Sequence, residues 1–400
     1  MNILMVSDVY FPRINGVSTS IQTFREELQQ LGHKVILIAP EYPHRPSVNE
    51  TGIYRISSRA VWGDPEDRMM KMGVAMELLD ELREQRFDLV HIQTPFVAHY
   101  LGLRIAKKLR LPTVVSYHTF FEEYLFHYFP FAPKEFMRYI ARRFSRSQCN
   151  QVSRLVVPST AMKQVLENYG VTQRMDIIPT GLKLNAEFPG AEKVSVFRNS
   201  LGIDRNRPCL VHVGRIAFEK NIEFLLQVIQ RVKQDVSDLA VIIAGEGPAL
   251  AGIKDQVCQL GLSSNVYFTG YLDRKTILPV CYAAGDVFIF SSRTETQGLV
   301  LLEAMAMGVP VVSTAVMGTK DILHPQLGAL IAEENVEDFS AKVIRLLSDK
   351  TLRSRLSQEA RDYVYQWTDI EMALRMERFY ETMLQQSSAE NLDVATEETC

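Results

Sequence analysis

The chain lacks the features of several protein classes. It has five cysteines among 400 residues and no Cys-x-x-Cys pair, so we expect neither a zinc site nor a disulfide framework. No apolar run reaches the ~18–20 residues of a membrane span. Asp8 interrupts the apolar N-terminus, which has no basic segment ahead of it, so we expect no signal peptide. With a net charge of only −3, a nucleic-acid-binding protein is also disfavoured. These absences predict a protein of the reducing cytoplasm.

Short apolar runs alternate with amphipathic segments along the whole chain. Runs of Val, Ile and Leu without polar alternation indicate strands covered on both faces, and therefore parallel sheets flanked by helices. In the first half we predict strands at 3–6, 35–39, 89–92, 113–116, 155–157 and 177–178, with helices at 17–31, 66–86 and 97–110. In the second half we predict strands at 209–213, 239–244, 266–269, 287–290 and 309–313, with helices at 219–234, 248–260, 273–283, 298–307, 335–348, 351–365 and 368–385.

The apolar periodicity lapses around residues 182–207, where we place the domain boundary. The prediction is an α/β protein of two Rossmann-like, doubly wound domains, 1–188 and 189–365, followed by a helix at 366–386 and a disordered polar tail at 387–400. Open α/β sheets bind ligands at the carboxyl ends of their strands. We therefore expect the two domains to face a binding cleft.

The segment 292–308 combines two glutamates with the start of a helix. A predicted strand ends at Ser291, and a helix opens near Gly298. The N-terminus of a helix offers unpaired N–H groups and about half a unit of positive charge, which suits a phosphate. Glu295 precedes that helix and Glu303 lies within it, and carboxylates suit sugar hydroxyls. Taken alone, each glutamate would more often be a solvated surface residue.

A second motif, 212–221, follows the first strand of the second domain. Gly214 allows a close backbone approach, while Arg215 and Lys220 supply two cations at a strand-to-helix turn. Two fixed cations can neutralise a diphosphate leaving group and stabilise the charge that develops on it. The chain contains no Asp-x-Asp, the spacing with which metal-dependent sugar transferases hold a cation. We therefore expect no metal and no cofactor.

Together, Gly214-Arg215-x4-Lys220 and Glu295-x7-Glu303 resemble the signature of family 4 retaining glycosyltransferases, which have the GT-B fold. The resemblance covers nearly the whole chain, because 11–17 is similar to that family's first glycine loop, and Ser116-Tyr117-His118-Thr119 to its first-domain histidine segment. Trp367 begins what looks like the family's final helix, which returns to the first domain.

The resemblance implies roles for individual residues. Arg215 and Lys220 would bind the donor diphosphate, and Glu303 would bind the ribose. Glu295 and the segment Gln297, Gly298, Leu299 and Val300 would bind the donor sugar through the carboxylate and backbone amides. Gly16 would lie at the donor in the first loop, and His118 would face the reacting sugar. His118, Arg215, Lys220 and Glu295 are the expected catalytic set.

The form Glu-Thr-Gln-Gly, with Gln297 where many members carry an aromatic residue, resembles the branch that glycosylates diacylglycerol. The segment 117–131 is dense in aromatic side chains, which suggests an apolar acceptor. Lys134, Arg138, Arg142 and Arg146 then form a basic stripe at i, i+4 spacing. Such a stripe can lie on anionic lipid headgroups at the inner face of the membrane. An ordinary amphipathic helix, with Phe136, Ile140 and Phe144 packed on the core, has the same pattern.

The sequence therefore predicts a metal-independent enzyme that transfers a hexose, with UDP-glucose the favoured donor, to a lipid acceptor such as diacylglycerol. The anomeric configuration is retained, and the leaving phosphate takes the acceptor's proton. The alternatives are a soluble or polysaccharide acceptor with GDP-mannose or another donor, a nucleotide-sugar 2-epimerase, and a non-catalytic nucleotide-sugar sensor. A dehydrogenase is disfavoured, because Gly245-Glu246-Gly247-Pro248 lacks the third glycine of a dinucleotide-binding turn.

Overall fold

A computed structural model describes residues 1–13, 15–43, 51–61, 64–118, 133–184 and 188–397, with the backbone alone at 64–67, 134 and 387–397. The chain forms two compact units. The first unit comprises Met1–Gly181 with Asp369–Cys400, and the second comprises Leu182–Thr368. The division falls before the boundary that the sequence predicts at residue 188. Leu182 and Leu184 belong to the second unit because they pack against its core.

The first unit is built on a seven-stranded parallel sheet of order β3-β2-β1-β6-β7-β8-β9. Its strands are β1 (Asn2–Val6), β2 (Lys34–Pro40), β3 (Ile53–Ile56), β6 (Leu89–Ile92), β7 (Thr113–Ser116), β8 (Arg154–Val157) and β9 (Met175–Ile177), and a separate hairpin joins β4 (Ser58–Val61) to β5 (Asp64–Met70). Its helices are α1 (Gly16–Gln30), α2 (Met72–Glu77), α3 (Leu79–Glu84), α4 (Val97–Leu109), α5 (Lys134–Cys149), α6 (Thr160–Asn168) and α15 (Asp369–Glu397).

The C-terminal helix α15 completes the core of the first unit. Met372, Met376, Tyr380 and Met383 recur at helical spacing and are buried among the side chains of β1 and α1. This periodic stripe explains why α15 packs on the first unit although it follows the second unit in sequence.

The second unit is built on a six-stranded parallel sheet of order β12-β11-β10-β13-β14-β15. Its strands are β10 (Cys209–Val213), β11 (Ala240–Ala244), β12 (Val266–Gly270), β13 (Val287–Phe290), β14 (Val311–Thr314) and β15 (Ala329–Ala332). Its helices are α7 (Ala191–Ser200), α8 (Ile222–Asp235), α9 (Leu250–Gln259), α10 (Leu278–Ala283), α11 (Leu299–Ala306), α12 (Thr319–Leu323), α13 (Val336–Ser348) and α14 (Lys350–Val364). Core clusters cover both faces of this sheet, as its continuous apolar strands predict.

The structure corrects the predicted elements at two places in the first unit. Residues 66–70 belong to β5 and not to a helix at 66–86. Pairing with β4 decides this, because the Arg68 guanidinium donates to the hydroxyl and carbonyl oxygens of Ser58, at 3.0 Å each. The backbone helix α15 also continues to Glu397, through most of the tail predicted to be disordered. That segment contains Ala389, Glu390 and Leu392, which favour helix, and no Gly or Pro.

A third correction lies in the second unit, where the segment 182–207, in which no helix is predicted, contains α7. Val194 and Phe197 pack from this helix onto the core. Arg198 is buried and donates to the carbonyl oxygens of Ala284 and Asp204, at 2.8 and 2.9 Å. Because helices with few apolar positions give a weak periodic signal, tertiary contacts and not periodicity decide this element.

Candidate functional site

The two motifs of the second domain meet at the carboxyl edge of the second sheet. β10 pairs with β13, so the turn after Val213 lies beside the segment that follows Phe290. The Lys220 ammonium group donates to Glu295 Oε1, and the side chains are 17% and 21% exposed. Parallel pairing of two strands that are distant in sequence therefore joins a predicted phosphate ligand to a predicted sugar ligand.

Arg215 differs from Lys220 in its surroundings. Its side chain is exposed, and it forms no hydrogen bond or ion pair with any residue that the structure describes. A cation without a partner in the protein can turn towards an anionic ligand without breaking an existing bond.

Glu303 is held by two residues that the motif analysis did not identify. The Tyr282 hydroxyl donates to Glu303 Oε2 at 2.6 Å, and the Arg274 guanidinium donates to Oε1. Burial, followed by the neighbouring Glu303 carboxylate, raises the pKa of Tyr282 well above its usual value. Tyr282 therefore stays a hydrogen-bond donor and fixes Glu303 as an acceptor. Nothing in the spacing of Arg274 and Tyr282 relates them to Glu303 in the sequence.

Glycines bring the loops of this edge into contact. Gly245 has a φ of +131°, and a Cβ placed there would lie 1.9 Å from the carbonyl oxygen of Gly214. Likewise, a Cβ at Gly318 would lie 2.0 Å from the carbonyl oxygen of Thr296. The two motif loops are thus each packed against a neighbouring loop at a distance that only glycine allows.

The helix predicted to receive the donor begins where the sequence places it. Gly298 precedes α11 with a φ of +101°, and Leu299 and Val300 form its first turn. The first N–H groups of a helix have no partner within it. The Gln297 side chain is buried. Its predicted contribution to donor binding is through its backbone amide.

In the first unit, His118 follows β7 and Gln93 follows β6. His118 Nε2 lies 3.3 Å from the Gln93 side-chain oxygen, to which it donates. Burial lowers the pKa of His118 to about 4, so the imidazole is neutral at pH 7. Gly16 is the first residue of α1, and a Cβ there would meet open space. The described contacts of the first unit do not join His118 to Gly16.

Asp8 is a polar residue of this unit that the motif analysis missed. It follows β1, is buried, and accepts from the Thr94 hydroxyl at 2.8 Å and the Ala98 N–H at 3.0 Å. Burial raises the pKa of Asp8 to about 6, and the hydrogen bonds oppose that rise. The acid links the end of β1 to the start of α4, and a buried carboxylate can be recognised as such only once the fold is known.

The exposed face of α5 extends beyond the predicted basic stripe. Met137, Ala141, Ser145 and Gln148 face the core, whereas Phe136, Tyr139, Ile140 and Arg143 share a solvent-exposed face. The stripe adjoins this face, and Arg142 and Arg146 are themselves exposed. The three arginines of the stripe nevertheless contact other residues of the protein. Arg138 pairs with Glu135 at 2.6 Å, Arg142 stacks on Tyr169, and Arg146 lies against Gly170.

The described part of the chain lacks metal-ligand clusters and membrane-spanning helices. The described residues contain no group of three or more His, Cys, Asp and Glu side chains placed to hold a metal ion. None of the described helices is long and apolar enough to cross a membrane. Of the aromatic segment 117–131, only Tyr117 and His118 lie within the described residues.

Comparison with known proteins identifies the family. Residues 14–186 match the model of glycosyltransferase family 4, and residues 194–363 match that of glycosyl transferases group 1. The alpha-monoglucosyldiacylglycerol synthase of Streptococcus pneumoniae is 31% identical over 84% of this chain and 74% of its own. The chain is a family 4 glycosyltransferase. The enzyme of the same name from Acholeplasma laidlawii is 28% identical over 78% of this chain and 80% of its own. These two similarities place the glycosyltransferase in the diacylglycerol glucosyltransferase branch, as the Glu-Thr-Gln-Gly form predicts.

One further relative of this glycosyltransferase has a donor in its name. A GDP-mannose-dependent alpha-mannosyltransferase of Mycolicibacterium smegmatis is 28% identical over 88% of this chain and 90% of its own. Among solved structures, Anabaena Alr3699/HepE in complex with UDP matches with a TM-score of 0.76 at 16% identity, over 96% of this chain and all of that one. The structural match confirms the GT-B fold of two Rossmann-like domains.

Proposed function

We propose that this glycosyltransferase transfers glucose from UDP-glucose to a lipid acceptor such as diacylglycerol, with retention of the anomeric configuration and without a metal. The observation that carries the donor assignment is the Lys220–Glu295 ion pair beside the first turn of α11. It combines a partly desolvated cation, a carboxylate and unpaired helix N–H groups at one edge of the sheet. This is the chemistry that a nucleotide-sugar requires.

In the proposed mechanism the donor diphosphate leaves towards Arg215 and Lys220. Both cations stabilise the negative charge that develops as the bond between sugar and phosphate breaks. The acceptor hydroxyl attacks from the face that the diphosphate leaves, so the configuration is retained, and the leaving phosphate takes the hydroxyl proton. Neutral His118 hydrogen-bonds to the sugar and is not a base, since a pKa of about 4 leaves it too weak.

Two observations support a lipid acceptor at the inner face of the membrane. Two relatives are named alpha-monoglucosyldiacylglycerol synthase. In addition, Phe136, Tyr139 and Ile140 are 57%, 60% and 37% exposed on α5, with Arg143 on the same face. Aromatic and aliphatic side chains flanked by a cation are typical of an interfacial helix on anionic lipid. We therefore assign membrane contact to this face of α5, in place of the basic stripe.

The test is a donor and acceptor screen with the purified protein. UDP-glucose, UDP-galactose and GDP-mannose are each incubated with and without diacylglycerol vesicles, and the glycolipid is analysed by mass spectrometry and proton NMR. We expect an α-linked glucosyl product with UDP-glucose. A β-linked product would exclude retention, and transfer to soluble acceptors alone would exclude the lipid assignment.

GDP-mannose is the second candidate donor. The mycobacterial relative is named for it, and its similarity extends over most of both chains. Exclusive use of GDP-mannose in the screen would favour this alternative.

A further inference from the structure

We propose that the first unit contains a subsite for a single uncharged hydroxyl group, formed by His99 and the Ser116 hydroxyl beside His118. The proposal rests on the proposed function, because the hydroxyl is assigned to the acceptor. The subsite lies in a cavity of about 20 Å³ at the carboxyl ends of β6 and β7, lined by residues that include Thr94, His99, Ser116 and His118. This volume holds about one water molecule or one hydroxyl group.

His99 supplies the first contact. The residue is buried, and its Nε2 atom has no hydrogen-bond partner among the residues that the structure describes. More than about nine in ten buried polar atoms have a partner, so this nitrogen indicates a missing one. A hydroxyl group satisfies Nε2 whichever ring nitrogen carries the hydrogen, because a hydroxyl both donates and accepts.

Ser116 supplies the second contact, and its orientation is set from α15. His91 is buried between two hydroxyl groups: its Nδ1 lies 2.6 Å from the Tyr380 oxygen, and its Nε2 lies 2.8 Å from Ser116 Oγ. Tyr380 is fully buried and has no other partner among the described residues, so its hydroxyl donates to Nδ1. His91 Nε2 then carries the hydrogen and donates to Ser116. The Ser116 hydroxyl hydrogen is left to point into the cavity.

The cavity is suited to an uncharged group. None of its described lining residues is Lys, Arg, Asp or Glu. Burial lowers the pKa of both His99 and His118 to about 4, so both imidazoles are neutral at pH 7. A phosphate or carboxylate would lose its hydration there without gaining a counter-charge. The structure therefore points to the free hydroxyl of a neutral lipid and against a charged headgroup.

In this arrangement Tyr380 and His91 are positioning residues, since they act on the acceptor through Ser116. His99 and Ser116 hold the hydroxyl before transfer, whereas the hydroxyl proton still goes to the leaving phosphate.

The test measures the steady-state KM for 1,2-dioctanoylglycerol in mixed micelles at saturating donor. We expect His99→Phe to raise the acceptor KM by about tenfold, because it removes one hydrogen bond in a buried site. His99→Gln, which keeps a hydrogen-bonding group, should remain within about threefold of wild type. Tyr380→Phe should also raise the acceptor KM, because the hydrogen on Ser116 is no longer directed into the cavity. Tyr363→Phe, which removes a buried phenol oxygen in the other unit, is the matched control.

Two further readouts separate the possible outcomes. The donor KM should be unchanged in every variant. Wild type should also prefer dioctanoylglycerol to phosphatidylglycerol, an anionic alcohol, and equal use of both would overturn the neutral class. Thermal unfolding shows whether each variant is folded. If His99→Phe does not fold, the acceptor KM of Tyr380→Phe tests the subsite.

Two results would overturn the subsite in different ways. Transfer to dioctanoylglycerol with an unchanged acceptor KM in the variants would mean that the cavity holds a structural water, and the proposed function would stand. Hydrolysis of the donor by wild type without any transfer to lipid would overturn the proposed acceptor and the subsite together.

Discussion

The carboxyl edges of the two sheets differ in the side chains that they carry. At the edge of the second sheet, charged side chains are joined in two ion pairs, Lys220 with Glu295 and Arg274 with Glu303, and Arg215 is exposed beside them. At the edge of the first sheet, His91, His99 and His118 are held neutral by burial, with pKa values of about 3, 4 and 4.

The two units would therefore supply different chemical groups to the proposed glycosyl transfer. In the proposed mechanism the second unit presents cations to the donor diphosphate, and its charged groups are paired or exposed. The first unit presents neutral hydrogen-bonding groups, which suit the hydroxyls of a sugar and of a neutral acceptor. Two units of similar topology therefore offer different ligand chemistry at equivalent sheet edges.

The largest effect is expected when a cation is removed from the carboxyl edge of the second sheet. Lys220→Ala should lower kcat by roughly 30-fold to 1000-fold, equivalent to about 2–4 kcal/mol, because the cation matters most when the diphosphate carries its full leaving charge. The donor KM should change less, and Arg215→Ala should behave in the same way. Lys342→Ala, which removes a lysine paired with Asp338 in the same unit, is the control. Turnover within about threefold of wild type in both variants would contradict the charged role of this edge.

The second prediction tests the buried acid of the first unit. The pKa of Asp8 is raised from 3.8 to about 6, so the folded state favours the protonated acid. This contribution to stability is present below pH 3.8 and is lost as the pH rises through about 6. Relative to Asp8→Asn, wild type should therefore lose about 3 kcal/mol of unfolding free energy between pH 3.5 and pH 7.

Urea unfolding of both proteins across this pH range provides the measurement. Asp80→Asn, at a carboxylate that is exposed on α3, is the control and should follow wild type closely. A constant difference between Asp8→Asn and wild type would show that folding does not change the pKa of Asp8.

A smaller effect is expected at the exposed face of α5. Arg143→Gln should weaken binding to anionic vesicles by about fivefold, which corresponds to about 1 kcal/mol for one cation near the surface. Arg142→Gln should have less effect, because Arg142 stacks on Tyr169. Co-sedimentation at several salt concentrations distinguishes the two variants. If the two variants bind vesicles equally, Arg143 has no special role, and either the predicted stripe contacts the membrane or α5 does not contact it.

The smallest expected effect is that of metal removal. If the cations of the second unit supply the stabilisation of the leaving diphosphate, EDTA should leave the rate of transfer largely unchanged. Loss of activity in EDTA that Mn²⁺ or Mg²⁺ restores would show that a metal shares the role assigned to Arg215 and Lys220.

Much of the second unit could be predicted from local sequence. Cys209–Val213 and Val287–Phe290 are continuous apolar strands bounded by polar turns, and the structure has them at the predicted residues. The motifs that follow them come together because a parallel sheet aligns the carboxyl ends of its strands. Local sequence failed at Asp64–Met70, where pairing with Ser58–Val61 outweighs a helical pattern, and at Ala191–Ser200, which is held by tertiary contacts.

The sequence by itself determined the α/β class, the family and the residue types of the charged edge. Alternation of apolar runs and the spacing of Arg215, Lys220, Glu295 and Glu303 are local properties of the chain. Only the tertiary structure decided which partners these residues have and which groups are uncharged. The bond from Tyr282 to Glu303 and the chain from Tyr380 through His91 to Ser116 join residues distant in sequence. The neutrality of the histidines arises from desolvation, which depends on everything that packs around a side chain and is not encoded in any short motif.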